Sequence, residues 1–198
     1  LFLDEFSEFR RETREALRQP IESGEIRIAR AGNIYRFPCR FQLVAATNPC
    51  PCGNAGHPRR ICRCTPPLLD RFARKFSGPL LDRIDLSVSV LPLGGSDWGG
   101  AGVGEPSETV RERVRRCRKI QEKRYAGRPC RTNGIVRASF SELASHLSPE
   151  ARLLLTRAAD RLGLSGRALC RVARVERTIA DLGGDRTTAL PNVAEAIQ

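Results

Sequence analysis

Apolar positions in the first half of the chain follow both strand-like and helix-like spacing, which is typical of an α/β fold. Residues 1–3 form a short apolar run, and residues 6–19 carry apolar side chains at helical spacing among many charges. These patterns predict a strand and then a helix, closed by Pro20 and Gly24. Residues 41–48 are almost continuously apolar, as expected of a parallel strand that is covered on both faces.

A β-hairpin is predicted between these two strands. Alternating apolar residues flank the sequence Ala31-Gly32-Asn33, whose Gly and Asn favour a tight turn. The hairpin region carries the arginines Arg27, Arg30, Arg36 and Arg40. Because side chains alternate across a strand, these arginines cannot all face one side.

A segment rich in glycine and serine divides the rest of the chain. Residues 94–106 include Trp98 and predict a flexible linker. Before the linker we predict a cysteine-rich loop, a helix and a last strand, over residues 49–66, 67–76 and 87–91. Beyond it the spacing predicts only helices, over residues 108–125, 139–146, 149–162, 167–182 and 191–198. We therefore expect a partial parallel-sheet core over residues 1–93 and an all-helical domain over residues 107–198.

Charge narrows the choice of partner. The 198 residues carry a formal net charge of +12, almost entirely from arginine. Such a balance favours a polyanion such as nucleic acid, with a merely solvated basic surface as the alternative. No apolar run approaches the ~20 residues that cross a bilayer, so we expect a cytoplasmic protein without a membrane partner. The sequence has no methionine and begins within a strand-like run, so we expect it to be part of a longer protein.

Four of the eight cysteines lie within fifteen positions. They form two close pairs, Cys50 with Cys52 and Cys62 with Cys64. Four thiolates in a cytosolic chain predict a closed structural Zn²⁺ site that pins a polar loop. The spacing within each pair is tighter than usual, His57 is an alternative ligand, and four unligated cysteines are the remaining alternative. His146, near the end of a predicted helix, is interpreted as a capping or surface residue.

Polar residues follow both predicted parallel strands. Asp4 and Glu5 come after the first strand and Asn48 ends the second. The carboxyl ends of parallel strands meet at one edge of a sheet, where such folds bind ligands. Two acids after a strand have the form of a Walker B strand end, although they also suit a helix N-terminus, and Asn is a common turn former.

Five stretches resemble successive signatures of the magnesium-chelatase-like ComM/YifB family of AAA+ ATPases. They are LFLDEFSEFRRETREALRQPIESGEI, FQLVAATNPCPCG, CRCTP, SGPLLDRIDL and LSGRALCRVARVERTIADL. The resemblance spans nearly the whole chain, and its most specific parts are NPCPCG with the later Cys-x-Cys and SGPLLDRIDL. It implies an AAA+ fold with a helical lid, and a ring, hexameric in this family, with each ATP between two subunits.

The resemblance also implies roles for individual residues. Asp4 would hold Mg²⁺, Glu5 would be the catalytic base, and Asn48 would be sensor 1. Arg83 matches the arginine finger that a neighbouring subunit supplies, with a structural pair to Asp82 or Asp85 as the alternative.

In the helical domain, the lid arginine called sensor 2 matches Arg167. Arg171, one helical turn later, competes for the same role.

The expected function is ATP-driven translocation or branch migration on DNA. Hairpins between Walker B and sensor 1 face the central pore in related rings, so Arg27, Arg30 and Arg36 are candidate DNA contacts, with Arg30 first. No Gly-x-x-x-x-Gly-Lys-Ser/Thr pattern occurs, so we expect these 198 residues alone to lack ATPase activity. The alternatives are the ATPase subunit of a magnesium chelatase and a zinc-stapled nucleic-acid-binding module without catalysis.

Overall fold

The computed structural model describes residues 1–92, 104–136 and 138–197, in two compact units, Leu1–Leu93 and Gly94–Gln198. The first unit contains strands β1 (Phe2–Leu3), β2 (Glu25–Arg30), β3 (Asn33–Pro38) and β4 (Val44–Ala45), and helices α1 (Arg11–Ala16), α2 (Arg18–Ser23), α3 (Pro66–Ala73) and α4 (Gly78–Leu81). The second contains α5 (Ser107–Arg124), α6 (Phe140–Leu143), α7 (Pro149–Leu162), α8 (Gly166–Gly183) and α9 (Leu190–Ile197). This mixed α/β unit with a helical C-terminal region confirms the coarse fold class. Most of the predicted linker lies outside the described residues.

Strands β1 and β4 form a small parallel sheet. Phe2 pairs with Val44 and Leu3 with Ala45, and the amide of Ala46 donates to the carbonyl of Leu3 at 2.9 Å. The strand predicted over residues 41–48 is therefore wrong in extent, since only two of its residues pair. Within the described residues β4 pairs only with β1. The rest of its apolar run therefore has no neighbouring strand with which to form backbone hydrogen bonds.

The strand predicted over residues 87–91 is absent from the described part of the chain. Its residues adopt no regular structure, and Val88 and Val90 are 81% and 90% exposed. Alternating apolar residues form a stable strand only where a neighbouring strand accepts their backbone hydrogen bonds. No described strand takes that place here.

The predicted helix over residues 6–19 is broken into a 3₁₀ turn, Phe6–Glu8, followed by α1 and α2. Arg14 causes part of the break, because its buried guanidinium donates to the carbonyls of Ser7 and Phe9, which a continuous helix would use internally. Pro20 does not end the helical region as predicted. It lies in the first turn of α2, where a proline is tolerated because the amide there has no intrahelical partner.

Strands β2 and β3 form the predicted hairpin. Arg30 pairs with Asn33, and the two residues between them, Ala31 and Gly32, have φ of 48° and 77°. Two successive positive φ values define a type I′ turn, which matches the twist of a two-residue hairpin.

Aromatic side chains form the centre of the first unit. Phe6, which is 2% exposed, lies 6.0 Å from Phe76 and 6.2 Å from Phe9, measured between ring centroids. Phe72 of α3 packs edge-on against Phe76 at 6.1 Å. Phe6 directly follows Glu5, and its amide donates to the carbonyl of Ala46. The end of β1 is therefore fixed both to the core and to β4.

Serine caps begin α7 and α8, two of the long helices of the second unit. Ser148 accepts from the amide of Ala151, and Ser165 accepts from that of Ala168. Gly163, at φ 61°, ends α7 in the left-handed conformation. These helices and α9 surround one cluster of buried side chains, Ala144, Leu147, Ala151, Leu155, Val172 and Val193.

A buried ionic network joins α5 to α8. The side chain of Asp181 is fully buried and accepts from Arg124 at 2.7 Å, from Arg177 at 2.7 Å and from Asn133 at 2.9 Å. Burial alone would raise the pKa of Asp181, but the hydrogen bonds from Arg124, Asn133 and Arg177 outweigh it and hold that pKa below its usual value. Asp181 therefore remains ionised inside the second unit.

His146 is not the capping or surface residue that the sequence predicts. Its Nε2 atom is buried and lies 3.6 Å from Oε1 of Glu176, a side chain on α8 that is itself fully buried. The 3₁₀ turn Ala144–His146 brings the imidazole to this position, and the carbonyl of His146 accepts from the amide of Thr188.

In the described residues, no helix is both long and apolar enough to cross a membrane.

Candidate functional site

The polar residues after β1 and β4 lie at one edge of the parallel sheet. Leu3 and Ala45 are paired, so Asp4 and Glu5 follow β1 at the same end of the sheet at which Asn48 follows β4. All three side chains are exposed. This arrangement offers two carboxylates and an amide on one side of the sheet, a donor set that suits a hydrated Mg²⁺ and a bound polyphosphate.

Glu5 has a backbone conformation that is unusual for its residue type. Its φ of 49° and ψ of 42° are left-handed, and its amide donates to Oδ1 of Asp4 at 2.9 Å. For a residue other than Gly or Asn this region costs about 1–2 kcal/mol. Strain of this kind concentrates at functional sites, where the surrounding structure holds it in place. Here Phe6, the residue after Glu5, is held in place by its contacts in the core.

Arg83 lies against its own chain. Its Nε donates to Oε2 of Glu22 at 3.1 Å, a second guanidinium nitrogen also contacts Oε2, and a third donates to the carbonyl of Pro79. The partner is therefore Glu22, rather than Asp82 or Asp85. Sequence reasoning missed Glu22 because no local spacing connects residues that are 61 positions apart. The arginine-finger assignment stays a prediction.

The hairpin separates its candidate arginines as strand alternation predicts. Arg27 and Arg36 are direct cross-strand neighbours, and Arg27 also contacts Glu25. Arg30, beside the turn, lies on the opposite face. Two arginines on one face and one near the tip cannot all contact the same side of a partner.

Four cysteines of the predicted loop come together. The Sγ atom of Cys50 lies 3.4 Å from that of Cys52 and 3.7 Å from that of Cys62, and the Cys52 and Cys62 sulfurs are 3.6 Å apart. With Cys64 included, all four sulfurs lie within 4.8 Å of one another. Tetrahedral Zn²⁺ with Zn–S bonds of ~2.3 Å has sulfur–sulfur edges of ~3.8 Å. The cluster therefore has the size that a tetrahedral Zn²⁺ requires.

The thiols of this cluster differ in acidity. Backbone N–H donors of Arg63 and Asn54 lower the pKa of Cys52 to about 6, whereas desolvation and the neighbouring Cys52 raise that of Cys64 to about 12. The amide of Ala55 also donates to Sγ of Cys50 at 3.2 Å. N–H···S hydrogen bonds stabilise thiolates, the form that binds a metal.

His57 does not join the cysteines. Its Nδ1 accepts from the backbone amides of Arg59 and Arg60 at 3.0 and 3.1 Å, so it organises the loop instead.

The two sensor 2 candidates lie at the start of α8 in the second unit. Arg167 is exposed in the first turn, and Arg171 is half-buried one turn later. Neither assignment is tested by the geometry of the second unit alone, and both stay predictions.

Comparison with family models decides the relationship. Residues 1–97 match the model described as magnesium chelatase, subunit ChlI, and residues 104–198 match the model of its C-terminal region. The chain belongs to the magnesium chelatase ChlI family. The resemblance read from the sequence is thereby confirmed.

Individual relatives of this family align along the entire chain. Competence protein ComM of Haemophilus influenzae is 44% identical over 199 residues, and uncharacterized protein YifB of Escherichia coli is 40% identical over 198 residues. An uncharacterized protein of Mycobacterium tuberculosis is 40% identical over 197 residues. Each alignment covers 100% of this chain but only 38–39% of the relative. The chain thus spans about two-fifths of the length of these ChlI-family proteins.

Proposed function

We propose that this chain forms the Walker B, sensor and lid part of an AAA+ ATPase that couples ATP hydrolysis to movement along DNA. The complete protein would act as a ring, and branch migration or translocation during DNA uptake and recombination would be its task. The name of the Haemophilus influenzae relative, a competence protein, agrees with this proposal.

The parallel pairing of β1 with β4 carries the nucleotide part of the proposal. It sets Asp4, Glu5 and Asn48 at one sheet edge. There Asp4 would orient Mg²⁺, Glu5 would polarise the attacking water, and Asn48 would contact the γ-phosphate or that water. The guanidinium of Arg83 would stabilise charge on the phosphoryl group of an adjacent subunit after leaving Glu22.

The distribution of charge supports DNA as the partner. Residues 26–69 contain seven arginines and no aspartate or glutamate, and they include the cysteine loop and all of the hairpin except Glu25. Glu25 pairs with Arg27, and the other six arginines have no acidic residue within this stretch of sequence. Non-specific contact with a phosphate backbone requires such a surface.

The ATPase subunit of a magnesium chelatase is the second candidate, because the matching family models are described as magnesium chelatase, subunit ChlI. The two functions differ in their need for DNA. For a chelatase subunit, we expect the rate of ATP hydrolysis to stay the same when DNA is added.

DNA-stimulated ATP hydrolysis by the full-length protein tests the first proposal. We expect single-stranded DNA to raise the rate of phosphate release, and Glu5→Gln to abolish it with ATP binding retained. Glu12→Gln, an exposed carboxylate of α1, is the matched control and should keep the activity. A hydrolysis rate that DNA leaves unchanged would favour the chelatase function.

We also propose that Cys50, Cys52, Cys62 and Cys64 hold a structural Zn²⁺. The match between the observed sulfur separations and a tetrahedral thiolate site supports it. Four protein ligands leave no position for water, so the ion would order the loop and take no part in hydrolysis.

Elemental analysis of the purified chain tests the zinc site. We expect about one Zn²⁺ per chain, lost in Cys50→Ser with Cys62→Ser and retained in the control Cys39→Ser, since Cys39 lies outside the cluster. A folded, reduced chain without zinc would refute this assignment.

A further inference from the structure

The loop between the two cysteine pairs carries cations that the proposed roles leave unused. Arg59, Arg60 and Arg63 have exposed side chains, and Ile61 beside them is 86% exposed. No acidic residue occurs between Glu25 and Asp70. Among the described residues, none of the three guanidiniums forms an ion pair. Their charges therefore face solvent without a protein counter-charge.

Local contacts order the backbone at these arginines. His57 Nδ1 accepts from the amides of Arg59 and Arg60 at 3.0 and 3.1 Å. Arg63 lies between Cys62 and Cys64, two members of the cysteine cluster. A loop that is ordered before binding loses less conformational entropy when a ligand docks. Three arginines on such a loop form a preorganised cationic surface.

We propose that Arg59, Arg60 and Arg63 bind the phosphate backbone of single-stranded nucleic acid, as a second contact besides the hairpin. This inference rests on the proposed DNA-dependent function. Guanidinium groups donate two parallel hydrogen bonds to one phosphate, and four residues of chain span at most ~14 Å, so neighbouring phosphates are within reach of the three side chains. The acid-free sequence around them excludes local competition from carboxylates.

The same arginines have one other plausible partner, the metal site itself. Zn²⁺ with four thiolates has a formal charge of −2, which neighbouring guanidiniums offset. The two roles differ in what a neutral substitution removes. Loss of a phosphate contact lowers both the affinity for nucleic acid and the salt dependence of that affinity. Loss of a metal contact lowers the zinc content of the chain.

The test compares the zinc-loaded chain with the triple variant Arg59→Gln, Arg60→Gln and Arg63→Gln. Binding of fluorescent oligothymidine is measured by anisotropy from about 50 to 300 mM KCl. For single strands, each lost phosphate contact reduces the magnitude of the slope of log K against log[salt] by about 0.7. We therefore expect the slope of the triple variant to be smaller in magnitude by about 2, and its binding at the lowest salt to be at least about tenfold weaker. Zinc content should stay unchanged.

The matched control removes the same charge elsewhere in the first unit, at Arg11, Arg71 and Arg74, each changed to Gln. All three side chains are exposed and lie on helices. We expect the slope of this control to change by less than about 1. Equal losses in the two triple variants would overturn the inference, because the effect would then be one of net charge alone.

Other outcomes separate the inference from the function on which it rests. If the wild-type chain binds the oligonucleotide and the loop variant keeps its slope, the inference fails and DNA binding stands. If the wild-type chain does not bind, the DNA part of the proposed function fails as well. Should the Gln variant lose zinc, a variant with Lys at the three positions decides, since it keeps the charge. A retained slope there supports the phosphate contact, and a lost slope overturns it.

Discussion

Replacing Asp181 by Asn removes the central charge of the network in the second unit while keeping the size of the side chain. Asp181 is fully buried and receives hydrogen bonds from both Arg124 and Arg177. The variant leaves two guanidiniums without their counter-charge. Arg177 is 4% exposed and cannot be solvated by water, whereas Arg124, 27% exposed, recovers part of its hydration.

The expected loss is about 3–5 kcal/mol, the range for removing one partner of a buried ion pair. Most of this loss comes from the pair with Arg177. The pair with the partly exposed Arg124 contributes little, because solvent screens it. For a helical unit of this size, about 3 kcal/mol lowers Tm by at least ~12 °C. Urea unfolding followed by far-ultraviolet circular dichroism measures the loss. Asp160→Asn, exposed on α7, is the control and should change stability by less than ~0.5 kcal/mol.

The pH dependence provides an independent check of the same reasoning. Because the pKa of Asp181 is lower in the folded state, its contribution is fully present above the unfolded pKa of ~3.9. That contribution is lost as pH falls through the lower folded value. The difference in stability between wild type and Asp181→Asn should therefore be constant near neutral pH and shrink below about pH 4. A loss under ~1 kcal/mol at neutral pH, or a difference that stays constant in acid, would refute the network's role.

Two further substitutions test the turn and the core. Ala31→Asn should raise the free energy of unfolding by about 0.5–1 kcal/mol, because Asn tolerates the positive φ of the first turn position. Ala29→Asn within β2 is the control. Equal effects of the two substitutions on thermal unfolding would contradict the assigned turn. Leu155→Ala should cost about 2–5 kcal/mol in urea unfolding because this side chain is 1% exposed, whereas Leu153→Ala on the same helix, 52% exposed, should cost little; similar losses would show that α7 faces the other way.

Local signals explain why the helical half of the chain was predictable. The bounds of α7 match the prediction because Ser148 caps one end, Pro149 fits the first position, and Gly163 ends the helix in the left-handed region. The cysteine cluster was predictable for a similar reason, since its four cysteines lie within fifteen positions of the sequence. In both cases the deciding contacts span few residues.

The failures have other causes. The short β4 and the position of half-buried His146 beside Glu176 depend on partners that are distant in sequence or absent. The break before α1 arises because the Arg14 guanidinium takes the carbonyls of Ser7 and Phe9. A periodic pattern reports which face of a segment is apolar. It does not report which neighbour will cover that face, or whether a buried cation will take carbonyls from a helix.

The paired cysteines have a consequence for how this protein tolerates change. A metal ion bound by both pairs would hold the two ends of the segment from Gly53 to Ile61 close together. Gly53 and Gly56 within it have φ of 75° and 74°, a left-handed backbone that favours glycine. Doubling the length of such a closed loop costs only about 0.6 kcal/mol in entropy. With both glycines and both cysteine pairs kept, the segment can therefore be lengthened at little cost in stability and without disturbing the sheet edge.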